Sequence, residues 1–413
     1  MEFNTGLLHG KGITNNPGRE IVPPVSQVTA FQYESMEELE KVFQHKSMGY
    51  AYSRIGNPTI AAFEKRVNDL EGGSGAVCCS SGMSAITAAL LAVCMNGDEI
   101  IAGSGLYGGT IDLLHDLNKL GITTHFVNEM EADEIRALIN EKTRVIFGEL
   151  ISNPAQKVLD VPAVSQIAHE AGIPLFVDAT TATPYIARPL SLGADVVIHS
   201  TSKYINGGGN SIGGIIVDGG KFPWDFNKHK ALAGFEKYRK AAFTVRLRTD
   251  IWENFGGCLA PVNAFLNYIG LDTLGLRMEK ICNNADSLAK AIDGLCGVSV
   301  SYLTLAHHPH HEKVDRLLNG YGGGILSFRA GSKEKAFRII NALKYALIAS
   351  NIGDLRTLVI HPASTLYIHT SHEEMEAAGV YDDTIRISVG IEDAKDLIED
   401  FTQAIRAADE NEG

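Results

Sequence analysis

From residue 75 onward the chain alternates short, near-continuous apolar runs with longer amphipathic stretches, and this rhythm restricts the fold more than any other feature. The runs are GAVCCS (75–80), EIIAG (99–103), ITTHFV (122–127), TRVIFGEL (143–150), PLFVDA (174–179), ADVVIHS (194–200) and SIGGIIVD (211–218). A strand apolar on consecutive residues must be buried on both faces, and helices between such strands supply the covering layers. The expectation is a three-layer α/β domain with a mainly parallel sheet. Ligands of such sheets sit at the carboxyl ends of the strands.

The flanks read differently. VPPV, scattered aromatics and the polar helix candidate SMEELEKVF cannot build a core of their own, so residues 1–55 are predicted to be an arm that docks on a neighbouring subunit or domain. Residues 56–250 form the predicted large domain. After about residue 250 a long helical pattern, Asn263 to Ile292, precedes strand candidates SVSYL, GGGILSFR and TIRISVG. Helices are predicted over SKEKAFRIINALKYAL and EDAKDLIEDFTQAIRAA, so residues 251–413 read as a smaller α+β domain. A division is required in any case, because single cores stop growing at roughly 250–300 residues.

Charge narrows the partners. Lys and Arg total 36 against 49 Asp and Glu, a net charge of −13, and that field repels nucleic-acid phosphates and anionic membranes alike. Residues 72–97 carry no charge, but the stretch opens with GGSG and its apolar part, Ala85 to Met95, is too short to span a bilayer. A buried strand and a buried helix are predicted there. The six cysteines, at 78, 79, 94, 258, 282 and 296, show no CxxC spacing, and MEFNTGLLHGKG has no apolar run behind its charges. A reducing cytoplasm is the expected compartment. Cys78 and Cys79, within an apolar strand, read as packing residues.

Two buried strands end in polar residues, in PLFVDATTATP and ADVVIHSTSKYINGGGNSIGG, which puts Asp178 and Lys203 just beyond apolar runs. A partly buried lysine has a lowered pKa and can form a Schiff base, and a neighbouring carboxylate suits the pyridinium nitrogen of pyridoxal phosphate. A plain salt bridge or a solvated loop lysine would use the same residues. In SSGMSAITAAL, Ser81, Gly82 and Met83 stand at a helix start, where N–H groups can hold phosphate or simply be capped. Ser200 and Ser202 add hydroxyls. Tyr52 and Arg54, in YAYSRIGNPT, offer a guanidinium fork before a Gly-Asn-Pro turn. Tyr107 could stack on a flat cofactor or belong to the core.

Two rival motifs compete. GSGLYG (103–108) matches G-x-G-x-x-G, with Glu129 about 20 residues on, the pattern of an NAD-dependent oxidoreductase. It starts at the second strand, however, and Tyr107 stands where a pyrophosphate would need close backbone approach. The run HHPHH (His307, His308, His310, His311) reads as an exposed loop with no metal, since no carboxylate or Cys sits at ligand spacing.

In order and spacing, YSRIGNPT, SSGMSAI, LYGGT, SNPAQKVLDV, the Asp178 strand, HSTSKYINGG, GLRMEK, IGDLRTLVIHPAS and IRISVGIED resemble the Cys/Met-metabolism family of pyridoxal-phosphate enzymes across nearly the whole chain. The family includes cystathionine γ-synthase, methionine γ-lyase and O-acetylhomoserine sulfhydrylase. The resemblance implies an aspartate-aminotransferase-like (fold type I) large domain. It implies Lys203 as Schiff-base lysine, Asp178 as pyridinium partner and Tyr107 as the ring-stacking tyrosine that helps move protons. It further implies Gly82, Met83, Ser200 and Ser202 as a phosphate cup. Tyr52 and Arg54 would reach a neighbouring subunit's phosphate in a homotetramer built from dimers. Arg386 with Asn153 and Asn351 would clamp the substrate α-carboxylate, and a bidentate guanidinium is suited to that task.

Within the family, KFPWDF, NIGDLRTLVIHPAS and GCLAPVNAFLNYIGLDTLGLRME look closest to the O-acetylhomoserine sulfhydrylase branch, and Gly109 stands where methionine γ-lyases carry cysteine. The implied reaction is γ-replacement on O-acetylhomoserine by sulfide or a thiol. The alternatives are γ-elimination of methionine or homocysteine, and cystathionine γ-synthesis. Four features depart from the family pattern: Ala179-Thr180-Thr181 after Asp178, Gly208-Gly209 after the lysine loop, Tyr367 after HPAS, and a region from Lys221 to Arg248 without Pro-Asp-x-Tyr-His-Gly. They bear on the acyl group and the nucleophile rather than on the cofactor.

Overall fold

Each of the seven apolar runs contains a strand in the computed structural model, which describes residues 1–10, 20–44, 46–295 and 297–410. Cys296 lies outside the described residues. The strands are β1 (Gly75–Cys79), β2 (Glu99–Gly103), β3 (Thr123–Val127), β4 (Thr143–Glu149), β5 (Leu175–Asp178), β6 (Val196–Ser200) and β7 (Gly214–Asp218), in the sheet order β1-β7-β6-β5-β4-β2-β3. From β3 through β2, β4 and β5 to β6 the pairing is parallel, and β7 is antiparallel to both β6 and β1. The mainly parallel sheet expected from the sequence is present.

Alternate residues of these strands enter two different cores. Ile101, Ile146, Val177 and Val197 pack with Phe63 and Val67 of helix Pro58–Glu71, while Ile100, Phe147, Phe176 and Ile198 pack with Leu90 of helix Gly82–Val93. Burial on both sides is the reason the runs lack polar alternation. The helix starts follow local chemistry. Asn57 accepts the Thr59 N–H at 3.0 Å with Pro58 in the first turn, and Ser81 accepts the Ser84 N–H at 3.0 Å. The uncharged stretch 72–97 is the buried strand and helix predicted. Among the described residues no helix is long and apolar enough to cross a membrane.

A second sheet has the order β10-β11-β12-β9-β8, from β8 (Ser299–Ser301), β9 (Ile325–Arg329), β10 (Leu347–Ile348), β11 (Leu358–Ile360) and β12 (Thr384–Ser388). Helices Lys333–Ala342 and Ala394–Glu410 pack on it through Ile339, Phe401 and Ile405. The pattern from Asn263 to Ile292 is two helices, Pro261–Leu271 and Leu274–Asp293. Leu271 and Leu274 are both fully buried, so the apolar spacing carries no sign of the break between them. Strands β10 and β11, two and three residues long, are too short to show a period of their own.

The N-terminal segment is only partly detached. Helix Phe3–His9 buries Leu7 completely in the first core, whereas helix Met36–Phe43 buries nothing within this chain. The histidine run is only in part the exposed loop predicted: His307 and His311 are exposed, with their rings 3.2 Å from the Val300 and Leu303 carbonyls, whereas His308 is buried. No group of three His, Cys, Asp or Glu among the described residues could hold a metal.

In the segment after β7, His229 is buried with its ring nitrogens 3.3 Å from the Asp225 and Arg144 carbonyls, and its ring faces Phe222 and Trp224. Burial drives its pKa from 6.5 down to about 4. Between those values the unfolded chain binds a proton that the folded chain refuses. The stabilising contribution is therefore complete above pH 6.5 and is lost as the pH falls toward 4. Melting temperatures measured across this range are expected to fall less steeply in His229→Gln than in the native protein. Parallel slopes would place the acid sensitivity elsewhere.

Candidate active site

Parallel strands share one carboxyl edge, so the polar residues that end them converge. Glu149 ends β4, Asp178 ends β5 and Ser200 ends β6, with Ser202 and Lys203 in the turn that follows. β1 runs in the same direction as β6, since both are antiparallel to β7, and Cys79 and Ser200 both lie opposite Gly214. That register carries Ser81 and Gly82 to the same edge. A cavity of about 430 Å³ opens there, lined by Gly82, Met83, Tyr107, Asn153, Asp178, Ser200, Ser202, Lys203, Asn351 and Arg386, and also by Glu149 and Thr180.

Lys203 Nζ donates to Asn351 Oδ1 at 2.6 Å. Burial, reinforced by the charge of Arg386, pulls its amine below the ordinary lysine range, the direction a nucleophilic amine requires. The Asp178 carboxylate accepts the Thr180 N–H at 2.8 Å, and burial pushes its pKa up. A protonated ring nitrogen beside it would act in the opposite sense, because a neighbouring positive charge favours the ionised acid. The Thr180 hydroxyl accepts the Ser200 N–H at 2.8 Å, tying the ends of β5 and β6 together.

At Gly82 a Cβ would lie 2.6 Å from Ser200 Cβ and 3.0 Å from its hydroxyl, so the helix start and Ser200 form a cradle that admits no side chain. The helix head presents N–H groups and the positive end of its dipole, and Ser200 presents a hydroxyl. Ser202 accepts the Gly213 N–H at 2.9 Å and also lines the cavity. Amine, buried acid and phosphate cradle together fit pyridoxal phosphate.

Tyr107 precedes helix Gly108–Lys119 and lines the cavity, and its N–H donates to Glu149 at 2.7 Å. The GSGLYG loop therefore aims a side chain at the cavity rather than a bare backbone. Glu129, the acid a dinucleotide ribose would need, pairs with Lys157 at 2.6 Å, and the hollow beside it measures about 40 Å³. Small-molecule sites occupy about 300–1,000 Å³. The oxidoreductase reading fails on both counts.

Arg386, on the central strand β12 of the second sheet, reaches across to the cavity. Its guanidinium donates to the Asn351 carbonyl at 3.0 Å and to Asn153 Oδ1 at 3.4 Å, and burial lowers its pKa to about 10. Its Nε is buried with no partner among the described residues, a donor that a carboxylate could use. Tyr52 and Arg54 do not line the cavity. Arg54 donates to the Glu253 carbonyl at 2.6 Å and lies 5.4 Å from the Tyr52 ring.

Three of the four departures from the family pattern have local contacts that account for a residue in them. A Cβ at Gly209, where φ is +65°, would run into the Asp354 carboxylate. The buried Tyr367 hydroxyl lies 3.5 Å from the Leu106 carbonyl and 3.4 Å from that of Asn153, filling the wall beside Tyr107. The Thr181 hydroxyl donates to the Ile151 carbonyl at 2.7 Å. Sequence reasoning missed Glu149 and named Thr180 only within a departure from the family pattern. Glu149 ends β4 as Asp178 ends β5, but Leu150 and Ile151 carry the apolar run past it, so the run does not mark where that strand ends.

A mainly parallel sheet of this layout, with a cavity at its strand ends that suits the phosphate, the ring nitrogen and the aldehyde of vitamin B6, is that of a fold type I pyridoxal-phosphate-dependent enzyme. Comparison with known sequences narrows the class. The model of the Cys/Met metabolism PLP-dependent enzyme family matches residues 4–406, and the chain belongs to that family. It is 41% identical to a homocysteine synthase of Schizosaccharomyces pombe over 98% of each chain. It is 39% identical to an O-acetyl-L-homoserine sulfhydrylase of Corynebacterium glutamicum, over 92% of this chain and 91% of that one. Among solved structures it is similar to one described as an O-acetylhomoserine (thiol)-lyase of Campylobacter jejuni, with a TM-score of 0.93 and 33% identity over 98% of this chain and 100% of that one. That structure contains a pyridoxyl-lysine monophosphate.

Proposed function

We propose that the protein catalyses γ-replacement on O-acetylhomoserine: sulfide or a thiol takes the place of the acetoxy group, and homocysteine or methionine leaves with acetate. The observation that carries the reading is the placement of Lys203, Asp178 and Arg386 around one cavity, two from the large sheet and one from the small. The names of the relatives support the choice of substrate.

The bound cofactor supplies an electron sink for the bonds at the substrate Cα. Lys203 would anchor it through Nζ and, with its amine free, would take the Cα proton; Asn351 Oδ1 accepts from that nitrogen at 2.6 Å and steadies it. Asp178 would hold positive charge on the ring nitrogen. Arg386 with Asn153 and Asn351 fixes the α-carboxylate and so aligns the reacting Cα bond. Tyr107 would cover the ring and, with Lys203, take the Cβ proton, so that acetate can leave from Cγ, and would return a proton to Cβ as sulfur adds at Cγ.

Tyr52 and Arg54 stand apart from the cavity of their own chain, which supports their completing the phosphate site of a neighbouring subunit in a cytoplasmic homotetramer. The units of this reading are the arm 1–55, the cofactor domain 56–250 and the small domain 251–413.

The test offers O-acetylhomoserine with sulfide, and separately methionine or homocysteine alone, and quantifies homocysteine against 2-oxobutyrate. Homocysteine that requires both the ester and sulfide is the expected product. Predominant 2-oxobutyrate would replace this reading with γ-elimination.

A further inference from the structure

We propose that Glu149 is a positioning residue that fixes Tyr107 relative to Asn153, and so sets the proton-moving phenol against the clamp on the substrate carboxylate. The inference rests on the site reading above and deepens it.

Glu149 is the last residue of β4, opposite Asp178 in the register with β5, and it forms part of the cavity wall. Its carboxylate accepts the Tyr107 N–H at 2.7 Å, and the backbone N–H of Asn153, four residues on in the same loop, favours its ionised form. Tyr107 sits at the head of helix Gly108–Lys119, which has no side-chain cap of its own. One carboxylate therefore joins the loop after β2 to the loop after β4. The Tyr367 hydroxyl spans the same two loops at 3.5 and 3.4 Å, a looser tie than the 2.7 Å bond.

The placement is electrostatically costly. Burial first, and the nearby Asp178 second, push the Glu149 pKa up to about 8, and it forms no ion pair with a cation among the described residues. Keeping an acid beside another acid, with a backbone donor in place of a counter-ion, makes it costly to ionise, an arrangement that packing alone does not call for. Such arrangements concentrate where function requires a fixed geometry. Asn153 in turn faces Arg386 at 3.4 Å, so a shift at Glu149 reaches both ends of the substrate.

The experiment compares wild-type holoenzyme with Glu149→Ala, Glu149→Gln and Glu149→Asp. It reads backbone amide exchange in the peptide around Tyr107, the absorbance of the bound cofactor, kcat and KM. Loss of the acceptor in Glu149→Ala is expected to speed exchange at Tyr107 about tenfold. It is also expected to lower kcat and raise KM for O-acetylhomoserine, cutting kcat/KM about 100-fold with the cofactor still bound. Glu149→Gln, which keeps an acceptor oxygen at the same reach, is expected to recover to within about tenfold of wild type. Unchanged exchange at Tyr107 in the alanine variant, or kcat/KM within twofold of wild type, overturns the proposal. Should the alanine variant not fold, Glu149→Asp decides, because its carboxylate is one methylene short: wild-type kcat/KM and exchange there overturn it equally. A wild-type enzyme that makes no homocysteine would refute the reaction proposed above, while amide exchange at Tyr107 would still judge Glu149.

Discussion

With Lys203 replaced by alanine, turnover is expected to fall by at least about 10⁴-fold, the upper end of what a positioned proton-transfer group supplies. The visible absorbance of a lysine-linked cofactor should vanish with it. The fold should persist, because Lys203 lies in the turn beyond β6 and its side chain makes one described hydrogen bond, the 2.6 Å contact with Asn351. Circular dichroism and melting temperature serve as the control. Near-normal activity in a folded Lys203→Ala protein would remove the foundation of the assignment.

Asp178→Asn is expected to lower kcat by about 10²–10³-fold, the scale of losing one preorganised electrostatic partner. Asparagine keeps the shape and an oxygen for the Thr180 N–H, which the native carboxylate accepts at 2.8 Å. What it lacks is the charge. The cofactor should therefore remain linked to Lys203 and absorb in the visible, with the loss confined to turnover. An undiminished kcat would show that the ring nitrogen draws its charge from elsewhere.

The two replacements also separate what each residue owes to its neighbours. Lys203 has its amine lowered by burial and then by Arg386, so its reactivity depends on a residue of the other sheet. Asp178 is raised by burial and relieved by Thr180, a neighbour in sequence. The first is a property of the closed structure. The second is built into one strand and its turn.

Legibility differed from one part of the chain to another for the same kind of reason. The runs around Ile100, Phe147, Phe176 and Ile198 show as strands because both faces are buried and every residue must be apolar. β10 and β11, and the turn at Asp272 and Thr273, leave no comparable trace, since two or three residues cannot show a period. His308 carries a misleading signal: Pro309 and the charged residues after it read as solvent, yet the ring is buried and its pKa falls to about 4. Glu149 is masked because Leu150 and Ile151 prolong the apolar run beyond the end of β4, whereas after Asp178 and Ala179 the chain turns polar at once.

By itself, the sequence determined the large sheet and the strand-end position of Asp178 and the lysine beyond it. A strand covered on both sides must be written as an unbroken apolar run, and the end of that run marks the edge where ligands bind. The family resemblance grouped Arg386 with Asn153 and Asn351, and Gly82 with Ser200, but only the tertiary structure supplied the contacts within those groups, and it alone decided that Glu149 holds Tyr107. Each of these joins elements far apart in the chain. Their meeting depends on strand order and sheet packing, which no local spacing of residues encodes.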